Sequence, residues 1–290
     1  MAKLWVFLHV LVLLAVIVVS LVMIAAHPSG AAELPALNAP GDFLQFWQEA
    51  DLSLAQWSPD LTHIPGSQEV EFTGFGGLRC TARVRLPRQG PPYAGGVLHI
   101  TATGRPSGPV PEDGLVHLFI SWDPSRPEAA WQLDAGDDPR SCDLYRACLS
   151  ARQALSLLAA LPGLRPGRIA AIGEGIGGME ALALATMDPD QVACVVGILL
   201  EGPNSRMVGL DADTRAVASY FDPANFARYV HAPVLLLGPE MGSMESAASA
   251  GSRWVAEKLA HISSGRPLLA TDQASKAQLI PGPPRVESES

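Results

Sequence analysis

The sequence predicts an α/β fold: a mostly parallel sheet flanked by helices, preceded by one N-terminal transmembrane helix. Three observations carry this reading. From residue 142 onward, short apolar runs alternate with helical patterns over short connections. That order is the mark of parallel strands joined by crossover helices. Residues 4–26 form one unbroken apolar run. Across 290 residues the apolar fraction is 48% and the charged fraction only 17%, enough for a sizeable core and unlike a disordered chain.

The run at 4–26, "LWVFLHVLVLLAVIVVSLVMIAA", holds no Asp, Glu, Lys or Arg. As a helix its 23 residues rise about 34 Å, against a hydrocarbon core of about 30 Å. It exceeds the apolar core of roughly 7–15 residues in a cleavable signal peptide. A signal anchor over 1–26 is therefore expected, with a long signal peptide cleaved near Ala31 or Ala32 as the alternative. Lys3 precedes the span, so the positive-inside bias places the remainder on the extracytoplasmic side. Residues 27–40, rich in Ala and Pro, read as a linker.

The folded domain is expected over 41–272. Phe43, Leu44, Phe46, Trp47, Ala50 and Leu54 fall at helical spacing in 42–57, with Asp42 placed to cap. Residues 68–87 alternate about a glycine turn and read as a hairpin. The apolar runs 95–103 and 114–122 read as buried strands, and 142–164 as a helix ending at Pro162. Strand, turn and helix follow at 168–185, then strands at 192–203 and 228–238. A helix at 246–263 and a short strand at 266–271 complete the domain. The tail, 273–290, has no periodicity and is expected to be disordered.

The net charge of −9 and the lack of a Lys/Arg stripe argue against nucleic acid as a partner. Cys80, Cys142, Cys148 and Cys194 form no C-x-x-C pair. They are open to two readings, as two disulfides or as small buried residues. No set of His, Cys, Asp and Glu has metal-ligand spacing, and no cofactor is expected.

The chemistry-bearing stretch is "RIAAIGEGIGG", 168–178. It fits two templates. Gly173, Gly175 and Gly178 match G-x-G-x-x-G, whose backbone amides cradle a pyrophosphate, and Glu201 lies 23 residues beyond Gly178, near the ribose-binding offset of about 20. Against this, at least two buried strands and a long helix precede the loop, whereas that fingerprint normally opens its sheet. Gly173-Glu174-Gly175-Ile176-Gly177 also matches the nucleophile elbow G-x-S-x-G with glycine in the central place. Glycine keeps the strained backbone of that position and removes the hydroxyl.

The surrounding chain bears on the choice. "GDFLQFWQEA", 41–50, "EVEFTGFGGLRCTARVRLP", 69–87, "ALSLLAALPGLRPGRIAAIGEGIGG", 154–178, and "SYFDPANFARYVHAPVLLLG", 219–238, resemble the acetyl xylan esterase and cephalosporin C deacetylase family of α/β-hydrolases. The last stretch is the most specific, with Tyr220, Phe221, Asp222, Asn225, Phe226, Ala232 and Pro233 in register. The resemblance covers about 41–245 in pieces. It implies an α/β-hydrolase fold and, for the family, hydrolysis of carboxylic esters.

The departures are as informative. The family's nucleophilic serine falls on Gly175, flanked by Gly173 and Gly177, and its acid falls near Met241, with Glu240 one residue off. No histidine follows "RPLLAT"; the last, His261, lies on a predicted helix. "HITATG" lacks the glycine that follows the oxyanion-loop histidine, here His99, and "SWDPSRP", 121–127, replaces a further loop. Acyl transfer needs nucleophile, base and oxyanion donors. Their joint loss on a kept scaffold points to a membrane-anchored hydrolase-like protein that binds a ligand, glycan or protein. The alternatives are an active deacetylase using an unrecognised serine, such as Ser107 or Ser121, and dinucleotide binding at Gly173–Gly178. Glu174 and Glu180 are expected to be solvated, His99 and His117 to be core residues bonded to backbone carbonyls, and Asp222 and Asn225 to fix a turn.

Overall fold

The computed structural model describes residues 39–54, 57, 60–63, 69–101, 112–122, 138–198, 210–238, 243–263 and 278–279. The hairpin expected near residue 70 forms from β2 (Glu69–Thr73) and β3 (Arg79–Arg85). A 3-10 turn, Phe75–Gly77, joins them, with Gly76 and Gly77 at φ 66° and 80°, where only glycine is relaxed. A four-residue strand, β1 (Asp60–His63), pairs antiparallel outside β2. It is too short to show alternation in the sequence.

Beyond the hairpin the sheet is parallel. Its order is β1-β2-β3-β5-β4-β6-β7-β8-β9, with β4 at Gly96–Ile100, β5 at Val116–Trp122, β6 at Ile169–Glu174 and β7 at Val192–Ile198. β8 spans Val234–Leu237 and β9 Gln278–Leu279. Every residue of β4 and β5 is buried, which is why these strands read as continuous apolar runs. β5 lies between β3 and β4, antiparallel to the first and parallel to the second.

Helices cover both faces. On one lie α1 (Phe43–Ser53), α2 (Asp143–Ala159), α3 (Ile176–Met187) and, after the short α4 (Ala212–Ala218), α5 (Pro223–Tyr229). Phe43, Trp47 and Phe226 are almost fully buried there, with ring centroids 5.1 Å apart for Phe43–Phe226 and for Trp47–Phe226. Burying such side chains stabilises each by roughly 1.5–3 kcal/mol. Every residue of α3 is buried, so this helix has no polar face. On the other face α6 (Met244–Ser263) sets Ala247, Val255 and Leu259 in one cluster with Val97, Ile172 and Val196.

Several expectations are corrected. The segment 228–238 is not one strand. Pro223 at the first helical position and Asp222, accepting from the Ala224 N–H at 2.9 Å, start a helix that runs to Tyr229, and only Val234–Leu237 is extended. Asp42 makes no side-chain cap for α1; it accepts from Tyr220 Oη at 2.6 Å. Within the tail, Gln278 and Leu279 pair in parallel with Leu235 and Leu236. All four cysteines are buried free thiols, the second of the two readings, and no disulfide forms.

The apolar run 4–26, most of the linker 27–40 and the strand expected at 266–271 lie outside the described residues. The described residues all fall within one compact unit. Among the described residues no helix is long and apolar enough to cross a membrane.

Candidate functional site

β6 carries the elbow. Its last residue is Glu174, and α3 begins two residues later at Ile176. Gly175, between them, has φ 62° and ψ −121°. A side chain in this region costs on the order of 1–3 kcal/mol. The turn is fixed from both sides: Gly175 N–H donates to Ile198 O on β7 at 2.7 Å, and Gly178 N–H donates to Gly175 O at 3.1 Å.

The flanking glycines are required for a different reason. A Cβ on Gly173 would run into the Gly177 carbonyl, and a Cβ on Gly177 would run into the Ile100 carbonyl of β4. Strand and helix therefore meet backbone to backbone, with no room for a methyl group. The residue at the tip, Gly175, offers no functional group beyond its backbone. Thr101 follows Ile100, the register partner of Gly173, and is 3% exposed; its N–H donates to Ile120 O at 3.2 Å.

The other weighed residues are placed as follows. Glu174 is half-buried. Glu180, expected to be solvated, has no solvent exposure and accepts from Trp122 Nε1 at 3.0 Å. It lies on the second turn of a wholly buried helix, where a hydrogen-bonded carboxyl replaces water as the partner. Ser121 is buried, and its Oγ lies 2.6 Å from Thr81 Oγ1. Asp222 and Asn225 fix a turn: Asn225 Nδ2 donates to Ser219 O at 2.8 Å. Burial pushes the Asp222 carboxyl above its usual range. Burial and the Asp42 carboxylate push the Tyr220 hydroxyl up to about 12. His261 is exposed on α6. Glu201, Met241, Glu240 and Ser107 lie outside the described residues.

Among the described residues, His99 and His117 bond to side chains and not to backbone carbonyls. His99 Nε2 lies 3.0 Å from His117 Nδ1, and His117 Nε2 lies 3.1 Å from Asp113 Oδ1. Both histidines are buried, and they share the sheet face of Val97, away from the first-face helices. Asp113 escaped the sequence reading. The signal is the Asp-Gly pair ahead of a strand, four residues before His117. Among the described residues no three His, Cys, Asp or Glu side chains stand together to hold a metal ion.

A mostly parallel sheet with helices on both faces and a glycine-lined strand-to-helix elbow on its central strand defines an α/β-hydrolase-like fold. Solved structures agree. Acetyl xylan esterase 1 from Thermoanaerobacterium sp. superposes with a TM-score of 0.55 at 16% identity, covering 76% of this chain and 85% of that one. An acetyl xylan esterase from Paenibacillus sp. R4 gives a TM-score of 0.55 at 18% identity, covering 78% and 89%. At such identities the likeness is one of fold. No protein-family model matches the chain, and no curated protein matches its sequence.

Proposed function

We propose that this chain is a catalytically inactive α/β-hydrolase-like protein that acts by binding a ligand, a glycan or a protein. In this reading residues 4–26 tether it to a membrane and the folded domain lies on the extracytoplasmic side. One observation carries the proposal: the elbow tip is Gly175, held at φ 62° by bonds on both sides, so the place from which the fold would present a nucleophile has no side chain. The departures near Met241 and after residue 263 support it from the sequence. So does the commitment of His99, at the oxyanion-loop position, to His117.

Purified protein is expected to turn over small acetyl esters no faster than a heat-treated control. It is also expected to leave a fluorophosphonate probe unbound. Turnover that follows the folded protein, with one labelled serine, would make the chain an active esterase instead. The tether predicts that the chain stays with the membrane fraction after alkaline carbonate washing, and that deletion of 4–26 releases it.

A further inference from the structure

On the second face of the sheet three titratable side chains form a line. It starts at Asp113 in the turn ahead of β5, crosses His117 at the start of β5, and ends at His99, the next-to-last residue of β4. A carboxylate only accepts hydrogen bonds, so His117 Nε2 carries a proton toward Asp113. The neutral ring then has a bare Nδ1, which accepts from His99 Nε2–H. One ionised aspartate thus sets the tautomer of both imidazoles. Asp113 is further held by the Leu115 N–H, which donates to Oδ1 at 3.0 Å.

On β3, Arg83 lies 5.3 Å from the Phe119 ring centroid, and Arg85 is the cross-strand neighbour of His117. Glu112 faces Arg85 at 3.9 Å and Arg88 at 3.2 Å, so its charge is already matched. On β6 the neighbours of His99 are Ala170 and Ile172, and on α6 the charge acting on this face is Lys258, beside Cys194. Phe119 stacks on His99 with centroids 4.4 Å apart. Asp113 and His117 both line a cavity of about 350 Å³, together with Arg85, Arg88, Gln89 and Glu112.

We propose that Asp113, His117 and His99 form an acid-sensitive latch, which ties β4 and β5 to the turn before β5 and whose contribution to the stability of the fold is lost on acidification. The proton the line cannot take is one on His99, which would become an imidazolium shut inside the sheet, 6% exposed, with Phe119 stacked on its ring at 4.4 Å and His117 already bonded to it at 3.0 Å. Burial, and then His117, hold His99 well below the ordinary histidine value. The unfolded chain protonates the His99 ring near pH 6.5, so at that ring it binds one proton more than the folded chain below that point. Stability from the latch is complete above about pH 6.5. Below it, the unfolding constant rises about tenfold per pH unit for each unmatched proton.

The test uses the full chain in detergent micelles. Thermal unfolding is followed from pH 8 to 5 for the wild type and for His99→Gln, whose amide N–H keeps the bond to His117 without titrating. The wild type is expected to lose stability steeply below pH 6.5, and the variant to lose it by about tenfold less per pH unit. Parallel curves would overturn the proposal. Nitrogen-detected NMR of the wild-type histidines needs no variant. Both rings are expected as Nε2–H tautomers at pH 7.5, with His99 still neutral at pH 5.5. A folded chain with His99 as imidazolium at pH 5.5, or as Nδ1–H at pH 7.5, would equally overturn it.

Discussion

The indole of Trp122 donates to Glu180 Oε1 at 3.0 Å, and both residues are shut away from solvent, Trp122 at 4% and Glu180 at 0% exposure. The bond joins the end of β5 to the second turn of α3, directly behind the elbow. Trp122→Phe keeps an aromatic ring and removes the donor from a buried acceptor. We expect a loss of about 1–3 kcal/mol in urea unfolding. Glu180→Gln keeps an acceptor for the indole, so its loss should be smaller.

Gly175→Ser restores the hydroxyl that the elbow lacks. We expect it to restore little or no ester turnover, because the sequence has no histidine after residue 261 and Met241 where the resemblance implies the acid. It should also lower stability by about 1 kcal/mol or more, since residue 175 sits at φ 62° and ψ −121°. A turnover assay and a melting curve on the same preparation check both halves.

Gly177→Ala adds one methyl group where β4 and α3 touch. Its Cβ would strike the Ile100 carbonyl, and backbone cannot swing aside as a flexible side chain does. We expect a loss above 3 kcal/mol or no folded protein, in the range of severe overpacking. Circular dichroism and soluble yield measure it.

Asp222 is 2% exposed, and its folded carboxyl binds a proton more tightly than the ordinary value near 3.8. The folded state therefore holds the proton after the unfolded state has released it, and stability falls as pH rises through that window. Asp222→Asn keeps an oxygen for the Ala224 N–H and carries no charge. We expect it to raise the melting temperature at pH 7, with a gain that shrinks toward pH 4. Asp222→Ala loses the cap and should cost about 1 kcal/mol at either pH.

The parts of this fold legible in the sequence are those where one local rule dominates. The buried strands β4 to β7 announce themselves as apolar runs bounded by Gly and Pro, and α3 by its place after a glycine turn. The elbow glycines were legible because sterics at Gly173 and Gly177 admit no other residue. The reading failed where a local signal competed with a stronger partner distant in sequence. Asp42 looks like a helix cap, yet Tyr220, 178 positions away, takes its carboxylate. Glu180 looks like a surface charge, yet Trp122 gives it a buried bond. The latch was hidden because it joins a turn to two strands, and period-two alternation describes only one strand at a time.

The four thiols make the chain its own clock of opening. Burial pushes Cys80 and Cys194 up to about 12 and Cys148 well above its ordinary value, so the reactive thiolate is scarce while the fold is closed. Cys80 sits on β3, Cys142 and Cys148 at the start of α2, and Cys194 under α6 on the opposite face. A dilute alkylating reagent therefore modifies each one at a rate set by the fraction of time its own layer is open. The order of modification would record which layer of the molecule yields first.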